Sequence, residues 1–167
     1  MEPITLLLEI LITYVVIVWI ILPLVVPNLG IRRKVPRELP LYWREVLDGL
    51  QASHGSDKEF LVRAYEAVTA RYHGGRMETV TKFWKAFQNP FTQAPGFMYC
   101  TGMNYLLRTL LVQSGRFAEV DIKIVHVPLN FIIHQYLRVR ADGVWYDVDP
   151  WAQRFGTPFG KKRVWFG

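Results

Sequence analysis

The 167-residue chain has a single cysteine, Cys100, and no lysine or arginine before Arg32. One cysteine cannot close an intrachain disulfide, so the fold must rest on an apolar core, and a reducing compartment is acceptable. There is no paired-cysteine or His-Glu-x-x-His zinc pattern, no Walker-type phosphate loop, no dinucleotide fingerprint and no acidic loop resembling an ion site. Neither a metal nor a cofactor is expected. Internal repeats and low-complexity tracts are missing too, which excludes solenoids and disordered linkers. The net charge is +6, but no nucleic-acid-reading motif accompanies it and the aromatics are spaced like core residues. Nucleic acid is therefore not an expected partner.

What is present first is an apolar run from Ile4 to Val26, interrupted only by Thr5, Glu9, Thr13 and Pro23. As a helix it would extend roughly 35 Å, enough to cross a hydrocarbon core of about 30 Å. Residues 1–29 are expected to form a single transmembrane anchor. A cleaved signal peptide fits less well: no basic residue precedes the run, the run is too long, and Val-Val-Pro is a poor cleavage site. Glu9 lies near the outer turns, where it can reach the headgroups or pair with a partner helix in a membrane complex. Arg32, Arg33, Lys34 and Arg37 follow directly, so the positive-inside rule places the soluble domain in the cytoplasm. Beyond the anchor, 20 basic side chains face 12 acidic ones, a net +8. The clusters at 32–37 and 161–163 are read as attraction to anionic lipid headgroups, worth about 1 kcal/mol per basic residue near the surface.

Residues 30–45 read as a basic juxtamembrane linker, stiffened by Pro36 and Pro40. Residues 46–167 suffice for one compact domain. Within and just before it, Leu41 to Leu50 suits a helix. Ser56-Asp57-Lys58-Glu59 is a capping box that starts a second helix, which Gly74-Gly75 ends. Met77 to Phe87 reads as a third helix, with Val80, Phe83, Trp84 and Phe87 as packing residues at helical spacing. A helix from Tyr99 to Leu111 and three or four strands follow. The fold class is α+β, with helices packed on a small antiparallel sheet.

The chemistry gathers in the second half. Cys100 stands in the first turn of its helix, where the positive end of the helix dipole favours a thiolate. Asp142-Gly143, between the alternating segments 132–141 and 144–149, is a strong signal for a two-residue hairpin turn. Pairing Ala141 with Val144 sets Arg140 against Trp145, Arg138 against Asp147, Tyr136 against Asp149 and His134 against Trp151. His134 and Asp149 then share one face as diagonal neighbours. Asp147 is assigned to an ion pair with Arg138, and Leu137, Val139, Tyr146 and Val148 form the opposite, core-facing side. A thiol nucleophile needs a base, and a base of this kind needs an orienting carboxylate. His126 is a reserve base with a structural role preferred. His54 and His73 fall in Gly-rich turns and are read as solvated loop residues. An oxyanion would be held by the Cys100 N–H and one further donor, for which Gln93 is the candidate.

The segments His134-Gln135-Tyr136-Leu137-Arg138-Val139 and Gly143-Val144-Trp145-Tyr146-Asp147-Val148-Asp149-Pro150 resemble the transglutaminase-like superfamily of papain-like thiol enzymes. Tyr136, Trp151 and Met98-Tyr99 depart from the usual pattern. The resemblance covers roughly the last 100 residues. It implies Cys100 as nucleophile, His134 as base and Asp149 as orienting group, acting on an amide or peptide bond of a protein or peptide through a thioester. The alternatives are a catalytically inactive form of the same fold serving as a membrane-tethered interaction domain, or a small subunit of a membrane complex.

Overall fold

The computed structural model describes residues 3–129 and 132–162; Arg163 of the basic cluster at 161–163 lies outside them. It is a mixed helix-and-sheet chain with an N-terminal apolar helix. That helix, α1, runs Pro3–Val25 and is long and apolar enough to cross a membrane. Pro23 has no N–H to return to the preceding turn, and the ladder just before it is π-helical over Val16–Ile21. Most of its side chains are exposed, Glu9 included, but Val18 is buried.

The stretch read as a linker is docked. The Tyr105 hydroxyl donates to the Lys34 carbonyl at 2.8 Å, Arg108 donates to the Arg33 carbonyl and Gln113 to that of Pro36. Arg32 pairs with Glu119, so part of this basic cluster is already neutralised within the fold. Leu39 and Trp43 belong to the hydrophobic core. The compact domain thus begins before residue 46, with α2 spanning Leu41–Ala52.

The capping box is formed: Ser56 Oγ accepts the Glu59 N–H at 3.2 Å, and Glu59 Oε2 accepts the Ser56 N–H at 3.0 Å. It opens α3, Asp57–Arg71, which buries Phe60, Leu61, Ala64, Tyr65 and Val68. The chain then extends as β1, Tyr72–His73, so His73 lies in a strand rather than a solvated turn; β1 pairs in parallel with β2, Gly96–Phe97. Between them lies a second departure from expectation. The helix foreseen over 77–87 is broken at Lys82 into α4, Arg76–Thr81, and a 3-10 turn, Phe83–Phe87. Val80, Phe83, Trp84 and Phe87, expected to pack, are exposed.

The central helix is α5, Cys100–Gln113, whose first twelve residues are all buried. Against it lies the antiparallel sheet β3 (Ile122–Leu129), β4 (Ile132–Ala141) and β5 (Val144–Val148), in that order. Asp142 and Gly143 take φ of 49° and 78°, the left-handed pair that a two-residue hairpin turn demands. The register follows: Ala141 with Val144, Arg140 with Trp145 and Arg138 with Asp147, the last pair bridged at 2.7 Å. The ladder stops at Leu137 with Val148, so the expected pairs Tyr136–Asp149 and His134–Trp151 do not form. Pro150 has no N–H to continue it, and Asp149 opens a turn. Leu137, Val139 and Val148 close the core with Leu106, Leu107 and Leu110.

Candidate active site

The local chain gives each candidate side chain its place. Cys100 opens α5 after Tyr99, an extended N-cap residue without a side-chain cap. The first N–H groups of this helix therefore have no intrahelical partner, and they give its start a partial positive charge. His134 stands three residues before Leu137, where β4 meets β5, and both faces of the strand are covered there; His134, Gln135, Tyr136 and Leu137 are buried in succession. Asp149 follows the last residue of β5 and is buried as well.

These three residues meet although the ladder ends before reaching them. His134 Nε2 lies 2.7 Å from Asp149 Oδ2. Asp149 Oδ1 accepts the Ala152 N–H at 3.1 Å, which locks the carboxylate in the turn. With Nε2 committed to Asp149, Nδ1 is the remaining ring nitrogen, and Cys100 is the other group that favours the charged imidazole. Burial opposes the charged imidazole, but the hydrogen bonds to Asp149 and Cys100, with their charges, outweigh it and raise the His134 pKa to about 10. Asp149 acts on a further neighbour. The Tyr65 phenol is pushed up to about 12, first by burial and then by the Asp149 charge, and so stays neutral.

The other candidates lie elsewhere. Gln93 is buried, but its amide donates to the Phe97 carbonyl at 2.7 Å and shapes the loop before the cysteine. It does not line the cavity onto which Cys100 opens. The register puts His126 opposite Gln135, whose Nε2 lies 3.1 Å from His126 Nε2; partial desolvation lowers its pKa. His73 faces Arg154 at 2.8 Å, and His54 is exposed in the loop after α2. Asp147 keeps its bond to Arg138.

Sequence reasoning did not find the walls around the thiol. A cavity of about 300 Å³ adjoins Cys100 and His134. Trp151 forms one wall, its ring centroid 5.2 Å from that of His134, and Tyr99 another, its hydroxyl donating to the Thr79 carbonyl. The remaining walls are almost wholly aliphatic and aromatic. The only signal for them was the apolar spacing of 77–87, which serves a core and a cavity equally. Among the described residues no group of three His, Cys, Asp or Glu is placed to hold a metal ion.

No family model, curated protein or solved structure matches this chain.

Proposed function

We propose that this protein is a membrane-anchored thiol enzyme of the transglutaminase-like kind, acting on an amide or peptide bond through an acyl-enzyme. The observation that carries the reading is the buried His134–Asp149 pair beside Cys100, at a cavity that Cys100 and His134 both line. In this reading the Cys100 proton passes to His134 and the thiolate attacks the substrate carbonyl carbon. The carbon–nitrogen bond breaks, His134 returns the proton to the leaving amine, and a thioester remains. Water, losing a proton to His134, then releases the acid and restores the thiol; an amine in its place would give transamidation. Hydrolysis is favoured because it needs no second substrate site. The Cys100 N–H at the start of α5 is the oxyanion donor supplied by the main chain.

Anchoring through α1, with the domain on the cytoplasmic side, is part of the same proposal. It is supported by the length and apolar character of that helix and by the basic residues that follow it. The test is iodoacetamide alkylation of Cys100 across pH, in wild type and His134→Ala. An activated thiol reacts well below the ordinary thiol range and loses that advantage in His134→Ala. Slow reaction with the same pH profile in both would leave a structural cysteine and a non-catalytic domain.

A further inference from the structure

Three features converge on the cavity beside Cys100. First, its walls come from separate parts of the chain: Leu22 and Val26 around the end of α1, Val80, Phe83 and Phe87 from α4 and the turn after it, and Ile132 from β4. Second, the apolar side chains of 77–87 face outward rather than into the core. Met77, Val80, Phe83, Trp84 and Phe87 are 50–75 % exposed. A patch of this kind on one short segment marks an interaction surface rather than scattered surface apolarity. Third, β4 packs directly against Val16–Ile21 of α1. Those residues lie roughly 6 to 14 Å back along the helix from its end at Val25, at 1.5 Å per residue. When α1 crosses a bilayer, that depth falls inside the hydrocarbon, and the cavity walls Leu22 and Val26 follow it directly along the chain.

We infer that the Cys100 cavity takes a hydrocarbon chain from the bilayer, so that the bond cleaved is the amide or ester of a long-chain acyl group, as in an N-acylated peptide. This rests on the thiol-enzyme reading and names its substrate. A cavity of about 300 Å³ is at the small end of the range for ligand sites, roughly 300–1,000 Å³, which suits a slender chain better than a folded peptide. An apolar chain needs no hydrogen-bonding partner, and the walls supply few. The polar atoms within reach, those of Cys100, His134 and the start of α5, are where the carbonyl would have to sit. The reaction balances as before: the thiol displaces the amine or alcohol, which leaves with the proton held by His134, and water releases the fatty acid.

The test uses the full chain in lipid nanodiscs and follows Cys100 labelling by intact mass with two chloroacetamides, one water-soluble and one bearing a sixteen-carbon chain. Membrane partition alone is measured on a reference thiol, His54→Cys in a Cys100→Ala chain, in the exposed loop after α2. The expected result is a lipophilic-to-soluble rate ratio at Cys100 about tenfold or more above the reference, because a chain seated in the cavity holds the electrophile beside the thiol. Phe83→Asp should bring that ratio down towards the reference value, with its melting curve reporting whether the domain remains folded. Equal ratios for the two thiols overturn the inference, as does a high ratio that Phe83→Asp leaves intact. Loss of a dimer in Phe83→Asp with no change in ratio also overturns it, in favour of a second copy covering the patch. If the soluble probe still requires His134, the thiol-enzyme reading survives that failure; if neither probe depends on His134, both readings fall.

Discussion

Asp149 holds His134 by one oxygen and the backbone by the other: Oδ2 is 2.7 Å from the imidazole Nε2, and Oδ1 accepts the Ala152 N–H at 3.1 Å. The two side chains are 2 % and 0 % exposed. A carboxylate pinned at both ends cannot rotate away, so the ring it holds has one orientation and one free nitrogen. The His134–Cys100 interaction therefore depends on a turn that begins where the β4–β5 ladder ends.

Replacing His134 and replacing Asp149 should have different sizes of effect. At about pH 6.5 a free thiol of pKa about 8.5 is about 1 % ionised, so His134→Ala should slow Cys100 alkylation by up to about 100-fold there. Asp149→Asn preserves shape but removes the charge that favours the imidazolium, and a smaller loss of about tenfold is expected. Pseudo-first-order labelling rates at several pH values check both. An Asp149→Asn rate equal to wild type would show that the carboxylate acts on packing alone.

The same pair should shape stability on the alkaline side. His134 is raised to about 10 from an unfolded value of about 6.5. Its contribution is fully present below about pH 6.5 and is lost as pH rises through the folded value, at up to about 1.4 kcal/mol per pH unit. Urea midpoints measured between about pH 6 and 10 on Cys100→Ser, in which no thiol titrates, should fall with pH. The Asp149 carboxylate remains in that variant and preserves the direction of the shift. Adding Asp149→Asn should flatten the slope.

Much of this arrangement is legible in the residues because it is specified locally. Asp142-Gly143 sets a turn type and the turn sets the register as far as Leu137 with Val148; the turn at Pro150 then carries Asp149 to His134. Ser56 and Glu59 announce a helix start in four residues. What escaped detection depends on distant partners. Nothing within 30–45 signals that its carbonyls will accept from Tyr105, Arg108 and Gln113, more than seventy positions away. The helical spacing of Val80, Phe83, Trp84 and Phe87 shows that one side is apolar and is silent on whether that side meets a core or a surface. The missing pairs beyond Leu137–Val148 had a local signal in Pro150, which should have ended the ladder.

The hairpin turn also serves a second element. Asp142 Oδ1 and Oδ2 accept the N–H groups of Asp57 and Lys58 at 3.2 and 3.1 Å, so its carboxylate caps α3 from 85 residues away. The bond to the Lys58 N–H, with that to Asp57, holds the Asp142 carboxyl below the usual range. That stabilisation is present above the ordinary carboxylate pKa and is lost as pH falls through the depressed one. Asp142→Asn keeps the turn, since asparagine tolerates positive φ, while exchanging a charged cap for a neutral one. Thermal melts should show a drop of a few degrees at neutral pH that narrows towards pH 3. A constant difference across that range would mean that turn geometry, not charge, sets the effect.

Gly74 tests whether the wall behind His134 is rigid. A Cβ at this position would stand 2.5 Å from Cδ2 of the Trp151 indole and closer still to the Trp151 carbonyl oxygen. Backbone cannot yield as a flexible side-chain end can, so Gly74→Ala must displace Trp151, and overpacking of this kind costs about 1–3 kcal/mol. Trp151 both packs on the imidazole and walls the cavity, so the displacement should reach the chemistry. Gly74→Ala is expected to lower the melting temperature and slow Cys100 alkylation together. Gly49→Ala supplies the contrast: it lies on the exposed side of α2 with nothing within 4 Å of its added methyl, and should raise stability by about 0.5–1 kcal/mol with the alkylation rate unchanged. If Gly74→Ala destabilises while leaving alkylation at the wild-type rate, Trp151 is a structural neighbour of His134 and does not hold the imidazole in place.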